Sequence, residues 1–318
     1  MKITVIGCGR WGSFITWYLN RIGHDVTLYG RKDSAKMQEL RSTRSNGLLS
    51  LPESITLSND ISCALSSDII VISIASQSLK LLVRELSDIC MKNKTVVLAM
   101  KGIDTSSNKR LSQIAAETLD ASNKIAVWLG PGHVQEFVAE HPNCMVIDSI
   151  DTDTKHMLVK AFSSDLVRFY YGNDLIGNEI GAAAKNVIGI AAGILDGMKL
   201  SSLKGALMSR GTHEIAKLIE ALGGNAFSAY GLCHLGDYEA TVFSEYSHNR
   251  RFGESRITGE SFNGLAEGYY TVKALVEMSK ESKLELPICN SVYDVLYKNA
   301  DPAQAISSLF TRKLTNEF

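Results

Sequence analysis

The chain has 318 residues, of which 45% are hydrophobic and 21% charged, and its formal net charge is -1 at pH 7. This composition is typical of a globular protein long enough for two domains, and the low net charge gives no electrostatic case for binding nucleic acid or a membrane surface. Its six cysteines form no CxxC pair and its seven histidines show no metal-binding spacing, so we expect reduced thiols in a cytoplasmic protein without a metal site.

The first half of the chain alternates short apolar runs with amphipathic stretches. Strands are predicted at 2–7, 25–30, 68–74, 95–100, 125–130, 144–150 and 167–172, with helices at 11–22, 77–91 and 107–120. The strand runs are rich in Val and Ile, as in sheets covered by helices on both faces. Strand–helix alternation further predicts right-handed crossovers. We therefore expect residues 1–175 to form an α/β domain built on a doubly wound parallel sheet.

From about residue 176 the character of the chain changes, and helical periods dominate to its end. Helices are predicted at 176–199, 202–221, 225–232, 235–246, 262–279 and 288–298. Runs of helices without intervening strands predict a separate helical layer. We therefore expect residues 176–318 to form an all-α second domain.

One predicted helix of the second domain carries a charge inside an apolar run. The stretch "GAAAKNVIGIAAGILDGMK" (181–199) contains Lys185 with Asn186 beside it. A membrane span needs roughly 20 nearly uncharged residues, and Lys185 and Asp196 break the run before that. We therefore expect a buried core helix. A lysine there is either paired and put to use, or a snorkelling side chain whose ammonium group reaches water.

The opening stretch "KITVIGCGRWG" places Gly7, Gly9 and Gly12 in G-x-G-x-x-G spacing between the first strand and the first helix. In that setting the first glycine allows a tight turn and the second lets a pyrophosphate approach the backbone. The third lets the helix pack closely on the sheet. The N-terminus of the helix then faces the phosphates. We expect a dinucleotide cofactor at this turn.

The end of the second strand indicates which dinucleotide binds. An Asp or Glu about 20 residues after the glycines would bind the ribose 2′-hydroxyl of NAD. This chain instead has Tyr29-Gly30-Arg31-Lys32, and Asp33 comes late. Two cations suit a 2′-phosphate, so NADP(H) is favoured over NAD(H). The alternative is that Arg31 and Lys32 are solvated loop charges.

Polar groups also follow two later strands, at the edge where ligands bind in an open α/β sheet. Lys101 follows the strand at 95–100, and the turn Gly130-Pro131-Gly132 can present N–H groups to an anion. In the second domain, the stretch 234–253 gathers Asp237, Thr241, Ser247, His248, Asn249, Arg250 and Arg251. Such a cluster suits a phosphate or carboxylate. The alternative is a charged helix C-terminus whose arginines lie near the last carbonyl groups.

Several separated stretches, taken in chain order, resemble the bacterial NAD(P)-dependent sn-glycerol-3-phosphate dehydrogenases over nearly the whole chain. They are "GCGRWG", "LYGR", "MKGI", "LGPG", "GAAAKNVIGIAAGILDGM", "SRGTHEIAKLIEALGG", "GLCHLGDYEAT", "SHNRRFG" and "AEGYYTVKAL". The resemblance implies an N-terminal Rossmann domain and an all-α substrate domain of the 6-phosphogluconate-dehydrogenase C-terminal type. It also implies interconversion of dihydroxyacetone phosphate and sn-glycerol 3-phosphate for phospholipid synthesis, and a homodimer is expected.

The resemblance also implies roles for individual residues. Lys185 matches the catalytic lysine, and Lys101 matches the lysine that contacts both cofactor and substrate. The predicted site comprises, for catalysis, Lys185, Lys101 and Asp237; for the cofactor, Gly7, Gly9, Arg10, Trp11, Gly12, Arg31, Lys101 and Glu267; and for the substrate, Lys101, Gly130, Gly132, Lys185, Asn186, Asp237, Thr241, Ser247, His248, Asn249 and Arg250.

The chain departs from the family pattern at three places. It has Arg10 where the family has Ser, "GHV" at 132–134 where the family has Ser/Thr-Phe-Ala, and His248 where the family has a phosphate-contacting arginine. Arg250 or Arg10 is the expected replacement for that arginine. Two alternative functions stay open: a related dehydrogenase for another small 2-oxo or 2-hydroxy compound, and an inactive nucleotide-binding sensor.

Overall fold

The computed structural model of the protein describes residues 1–314 and 316–317, and the chain divides into two units. The sheet unit comprises Met1–Lys101 and Lys109–Glu179, and the helical unit comprises Gly102–Asn108 and Ile180–Phe318. The main division thus falls after residue 179, whereas the sequence pattern places it after residue 175. Nothing in the pattern indicates that 102–108 belongs with the helical unit, because that grouping depends on tertiary contacts.

The sheet unit alternates strands with helices. Its strands are β1 (Lys2–Ile6), β2 (Asp25–Tyr29), β3 (Thr56–Ser58), β4 (Ile69–Ile72), β5 (Thr95–Leu98), β6 (Lys124–Leu129), β7 (Asn143–Asp148) and β8 (Val167–Tyr171). Its helices are α1 (Arg10–Arg21), α2 (Ala35–Thr43), α3 (Leu79–Asp88), α4 (Leu111–Thr118), α5 (Val134–Val138) and α6 (Thr152–Phe162). The strand order β3-β2-β1-β4-β5-β6-β7-β8 runs outward in both directions from β1 and β4, which is a doubly wound topology. The predicted Rossmann-type fold is confirmed.

The sheet departs from the predicted all-parallel arrangement at one edge. β7 pairs antiparallel with β6, with Trp128 opposite Ile147, and β8 pairs parallel with β7. Between β6 and β7 the helix α5 has only 5 residues. A helix of that length spans about 7.5 Å, whereas a six-residue strand such as β6 spans about 20 Å. Because α5 cannot return the chain to the start of β6, β7 runs back in the opposite direction.

The core of the sheet unit follows from the apolar strand runs. All residues of β4 are buried, as expected for a central strand covered on both faces. Phe14 of α1 stacks on Phe137 of α5 with ring centroids 4.8 Å apart, and Trp128 of β6 packs edge-on against Phe169 of β8 at 4.9 Å. These contacts fix α1 and α5 at the edge of the sheet where the predicted cofactor residues lie.

The helical unit is all-α in the part of the chain that the structure describes. Its helices are α7 (Leu175–Gly197), which begins in the sheet unit, α8 (Lys204–Ala221), α9 (His248–Thr258), α10 (Glu267–Glu281), α11 (Pro287–Tyr297) and α12 (Pro302–Phe310). The helices predicted at 225–232 and 235–246 are instead 3-10 turns at Ala226–Tyr230 and Leu235–Asp237 and a π turn at Glu239–Phe243. Gly231 and Gly236 interrupt these stretches, since glycine costs about 1 kcal/mol relative to alanine in a helix.

Helix α7 is the apolar helix that carries Lys185. By length and composition it could cross a membrane, but 89% of its 18-residue apolar window is buried inside the protein. Ala183, Val187 and Ile188 on this helix are fully buried. The prediction of a buried core helix is therefore confirmed, and no membrane span is indicated.

Candidate active site

The glycine turn after β1 has the geometry that its spacing predicts. Gly7 has a φ of +118°, and a Cβ built on it would lie 2.1 Å from the Ser73 carbonyl oxygen. A Cβ on Gly12 would lie 1.8 Å from the Gly7 carbonyl oxygen, so α1 packs on the turn only because residue 12 has no side chain. A Cβ on Gly9 would meet no described atom within 4 Å. The turn is open above Gly9, which fits a pyrophosphate lying against the backbone.

Helix α1 begins at this turn. Gly9 is its N-cap and supplies no capping side chain, and the first turn, which lies wholly within the described chain, holds no acidic residue. The N–H groups and the positive end of the helix dipole therefore suit an anion. Trp11 in the first turn lies 5.1 Å from the Phe14 ring, and Arg10 is exposed. The predicted cofactor residues 10 and 11 thus lie beside the open turn.

The end of β2 holds the predicted coenzyme-selecting arginine. The chain is fixed here, because a Cβ on Gly30 would lie 2.8 Å from Cys8 Sγ and the Asn59 side-chain amide donates to the Gly30 carbonyl oxygen at 2.7 Å. The Arg31 side chain is 75% exposed, and its Nε lies 4.0 Å from Asp33 Oδ1. An exposed ion pair at this distance contributes little. The Arg31 guanidinium therefore stays available to an anionic ligand.

Lys101 and the glycine turn after β6 meet at the carboxyl edge of the sheet. Lys101 Nζ donates to the Gly130 carbonyl oxygen at 2.7 Å. Gly130 and Gly132 have φ of +125° and +138°, values that favour glycine. A Cβ on Gly132 would also lie 2.3 Å from the Phe137 ring. The structure thus brings the two strand ends together, while their contacts with an anion stay a prediction.

Lys185 is paired, which explains a lysine in an apolar helix. Its Nζ lies 2.9 Å from Asp237 Oδ2 and donates to Thr241 Oγ1 at 2.8 Å. The Thr241 hydroxyl donates to the Asp237 carbonyl oxygen at 2.6 Å, so its oxygen is oriented to accept from the ammonium group. The side chains of Lys185 and Asp237 are 10% and 1% exposed. The alternative of a snorkelling lysine is therefore wrong.

Two glycines let the segment 234–241 approach α7. A Cβ on Gly181 would lie 3.0 Å from His234 Cβ, and a Cβ on Gly189 would lie 2.8 Å from Thr241 Cγ2. Gly181 and Gly189 lie one helical turn before and after Lys185. These small residues predict that either another protein segment or a substrate packs against the helix beside the lysine. At both glycines it is the protein segment that carries Asp237.

His234 is a buried member of this cluster that sequence reasoning did not single out. Its Nδ1 lies 2.8 Å from the Gly181 carbonyl oxygen, which assigns the proton to Nδ1, and its Nε2 accepts from the Tyr238 hydroxyl at 2.7 Å. Burial lowers the pKa of His234 to about 4, so the ring is neutral near pH 7. A lone histidine near an aspartate carries no pattern, and only the fold shows that His234 ties the turn before Asp237 to α7.

A second polar cluster joins α7 to the starts of α9 and α10. The Asn249 side-chain amide donates to Asn186 Oδ1 at 3.0 Å, and Asn249 Oδ1 accepts from the Gly268 N–H at 2.9 Å. A Cβ on Gly268 would lie 2.5 Å from the Asn186 carbonyl oxygen. Glu267, a predicted cofactor contact, is the first residue of α10. The structure thus brings Asn186 and Asn249 together, and Glu267 directly precedes Gly268, whose N–H contacts Asn249.

The cationic stretch 247–251 is the start of a helix. Ser247 is the N-cap of α9, and its Oγ accepts from the Arg250 N–H at 3.3 Å. The alternative of a helix C-terminus is therefore wrong, because it gave no weight to serine as an N-cap residue. A helix N-terminus favours negative charge, which agrees with a phosphate site at this point of the chain.

Arg250 and His248 have partners within the helical unit. Arg250 Nη1 lies 2.7 Å from Asp196 Oδ2, and its Nε donates to the Ser244 carbonyl oxygen at 3.1 Å. His248 Nδ1 lies 3.3 Å from the Leu265 carbonyl oxygen. Because Asp196 already holds the guanidinium in a largely buried pair, this geometry does not favour Arg250 as the replacement for the family's arginine.

Comparisons with known proteins point to one family for both halves of the chain. Residues 2–155 match the family model described as NAD-dependent glycerol-3-phosphate dehydrogenase N-terminus, and residues 174–307 match the corresponding C-terminus model. The chain is 36% identical to the glycerol-3-phosphate dehydrogenase (NAD(P)+) of Thermoanaerobacter sp. (strain X514), covering 100% of this chain and 99% of that relative. It is 35% identical to the protein of the same name from Prosthecochloris aestuarii, with 98% of each covered. The crystal structure of glycerol-3-phosphate dehydrogenase from Coxiella burnetii matches with a TM-score of 0.91 at 26% identity, covering 98% of this chain and 99% of that chain.

Proposed function

The chain belongs to the NAD-dependent glycerol-3-phosphate dehydrogenase family, and we propose that it transfers a hydride between NAD(P)H and dihydroxyacetone phosphate to give sn-glycerol 3-phosphate. The observation that carries this proposal is the full-length similarity to enzymes of that name. The buried Lys185–Asp237 pair supports it, because a nucleotide sensor has no need of a proton-transfer group. The product is the backbone of phospholipids, so the enzyme supplies their synthesis.

A substrate screen that follows NADPH absorbance tests this function. We expect oxidation of NADPH with dihydroxyacetone phosphate, and the reverse reaction with sn-glycerol 3-phosphate. Turnover of a 2-oxo carboxylate but not of dihydroxyacetone phosphate would support the related-dehydrogenase alternative. None of the findings above supports that alternative or the inactive sensor.

The proposed chemistry assigns the proton to Lys185. NAD(P)H, when bound, supplies the hydride that reduces the carbonyl carbon of the ketone. Lys185 Nζ then donates a proton to the carbonyl oxygen as it becomes an alkoxide, and accepts a proton in the reverse reaction. Asp237 and Thr241, 2.9 Å and 2.8 Å from Nζ, hold the ammonium group in one position. Such fixed geometry is what general acid catalysis requires.

Other predicted residues, Arg250 excepted, are proposed to hold the cofactor and the substrate. The turn at Gly7, Gly9 and Gly12 holds the pyrophosphate, and Lys101 contacts both cofactor and substrate. The start of α9 with Asn249 holds the substrate phosphate, because a helix N-terminus and an amide group donate hydrogen bonds to phosphate oxygens.

Coenzyme preference is expected to depend on Arg31. In Arg31→Ala, the Michaelis constant for NADPH should rise at least tenfold while that for NADH hardly changes, because a charge-assisted hydrogen bond to the 2′-phosphate contributes about 1.5–3 kcal/mol. Steady-state kinetics with both coenzymes measure this effect. Lys36→Ala, at an exposed residue of the next helix, is the control for loss of one positive charge. An equal rise of the two Michaelis constants, or a wild-type protein that does not use NADPH, would contradict this prediction.

His234 is expected to contribute to the pH dependence of stability. Its pKa is about 4 in the folded protein and about 6.5 in the unfolded chain, so the unfolded chain takes up the proton first as pH falls. The contribution is present above pH 6.5 and is lost towards pH 4. Urea unfolding at pH 7 and 4.5 should show that His234→Asn, which keeps a donor for the Gly181 carbonyl, loses less stability than wild type by about 2–3 kcal/mol. Identical losses in the two proteins would contradict this assignment.

We further propose a cytoplasmic homodimer. All six cysteines are free thiols, which suits a reducing compartment. On the helical unit, Phe227 and Tyr230 are 78% and 45% exposed, and exposed aromatic side chains are enriched in protein interfaces. Light scattering on the purified protein measures the assembly directly.

A further inference from the structure

The helical unit contains a large cavity. Its volume is about 810 Å³, within the range of roughly 300–1,000 Å³ that small-molecule pockets occupy. It is lined by the C-terminal part of α7, by α8, α11 and α12, and by residues that follow α12. Its walls are mainly aliphatic, with Ile194, Leu207, Ile288, Val292, Ile306 and Leu309 among them. None of the described residues that line it belongs to the predicted catalytic, cofactor or substrate set.

Apolar side chains also meet solvent at the mouth of this cavity. Phe310 and Leu314 line it and are 68% and 94% exposed. Contiguous apolar surface that stays open to water is uncommon in soluble proteins and marks binding sites. The cavity therefore has the character of a hydrocarbon-binding groove with an accessible entrance.

Positively charged side chains also line the cavity. Arg210, Lys217 and Lys313 line the cavity and are exposed. Burial, and then the electrostatic effects of Lys217 and Arg210, lower the pKa of the neighbouring His213. Arg210 also donates to the Glu317 carbonyl oxygen at 2.9 Å, which keeps its guanidinium near the end of the chain. An anionic group at the entrance would be attracted by these cations.

Two of the described residues that line the same cavity are acidic, and both have partners. Glu285 accepts from both terminal nitrogens of Arg312 at 2.6 and 2.8 Å. Glu214 accepts from the backbone N–H groups of Ile288 and Cys289 at 2.8 and 2.9 Å, at the start of α11. Burial raises the pKa of Glu214 to about 7, so its negative charge is reduced near neutral pH. Among the described residues that line the cavity, the unbalanced charge is therefore positive.

We propose that this cavity binds a single-chain amphiphile with an anionic head group, of the long-chain fatty acid class. The aliphatic walls would cover the hydrocarbon chain, and the cations at the entrance would pair with the carboxylate. A nucleotide or a sugar phosphate would instead place polar atoms against walls that offer few hydrogen-bond partners. This proposal concerns binding alone and does not depend on the reaction proposed above.

Calorimetric titration of the full-length protein with octanoate, decanoate and laurate, each below its critical micelle concentration, tests the proposal. We expect one molecule bound per chain and an affinity that rises about fourfold for each added methylene group. Dodecyltrimethylammonium, which has a chain as long as laurate but a cationic head, should bind at least tenfold more weakly. The pKa of His213, followed by NMR, should rise on laurate binding because the carboxylate offsets Lys217 and Arg210.

Variants separate this cavity from nonspecific binding. Lys217→Glu should weaken laurate binding about tenfold, and Ala206→Trp, at an exposed residue of the lining, should abolish it by filling the cavity. Lys160→Glu, at an exposed lysine of α6 in the sheet unit, makes the same charge change and should leave binding unaltered. Absence of saturable binding, affinity independent of chain length, or affinity unaltered in both cavity variants would overturn the proposal. Self-association of the wild type that Ala206→Trp abolishes would also overturn it, because a second copy would then be the occupant.

Discussion

Replacing Lys185 with methionine is expected to lower the turnover number by roughly 10²–10⁴-fold, the usual contribution of general acid–base catalysis. Methionine keeps the length and apolar character of the side chain but has no proton to donate. Binding of NADPH should hardly change, since the glycine turn and Arg31 belong to the sheet unit. Oxidation of NADPH by dihydroxyacetone phosphate and fluorescence titration of the coenzyme measure the two quantities.

The Lys185→Met substitution is also expected to lower the stability of the protein, and a double variant is the control for this effect. Asp237 is 1% exposed, so removing the ammonium group leaves a buried carboxylate without its charge partner, at a cost of about 3–5 kcal/mol. The double variant Lys185→Met/Asp237→Asn removes both charges and should recover most of that stability while turnover stays low. A folded Lys185→Met protein with near wild-type turnover would show that the lysine serves packing alone.

Asp237→Asn is expected to destabilise the protein by about 3–5 kcal/mol and to lower turnover at least tenfold. Asparagine has nearly the same shape and still accepts a hydrogen bond, but it leaves the Lys185 ammonium group buried without a counter-charge. Because the two residues act as a unit, the double variant should be no slower than Lys185→Met alone. Urea unfolding and steady-state kinetics of the single and double variants measure both effects.

Thr241→Val is the matched control for Asp237→Asn. It removes a neutral partner of Lys185 Nζ, at 2.8 Å, and should cost about 1 kcal/mol. A stability loss in Asp237→Asn no larger than the loss in Thr241→Val would mean that the charge of Asp237 contributes nothing beyond an ordinary hydrogen bond.

The strands of the sheet unit were predictable to the extent that burial imposes an apolar run. β1 and β4 are covered on both faces, and the predicted strands at 2–7 and 68–74 include them. β3 is only 3 residues long and only partly buried, so its sequence "TLS" gives no such pattern. The direction of β7 depends on the length of the preceding connection rather than on its own residues. The apolar sequence pattern therefore predicts the positions of most strands, whereas the direction in which β7 pairs follows from the short connection before it.

The candidate site divides in a similar way. The glycine spacing after β1 predicts positions where a side chain would clash with the backbone. Gly7 and Gly12 occupy such positions in the structure. The pairing of Lys185 with Asp237 joins residues far apart in sequence, and the family resemblance predicts only that both belong to one catalytic set. His234 went unrecognised because its two hydrogen-bond partners are a carbonyl oxygen and a tyrosine hydroxyl, which leave no mark on sequence spacing.

The strand order also determines what the ribosome exposes while it makes the protein. β1 is the first strand to leave the ribosome. In the folded protein it lies inside the sheet, where Ile3 pairs with Val26 of β2 on one side and with Ile69 of β4 on the other. At about 5–20 residues per second, Ile69 is added roughly 3–13 s after Ile3. Throughout that interval one edge of the apolar strand β1 has no partner to pair with. An unpaired strand edge can associate with other chains. We therefore expect chaperones to bind β1 of the nascent chain before β4 pairs with it.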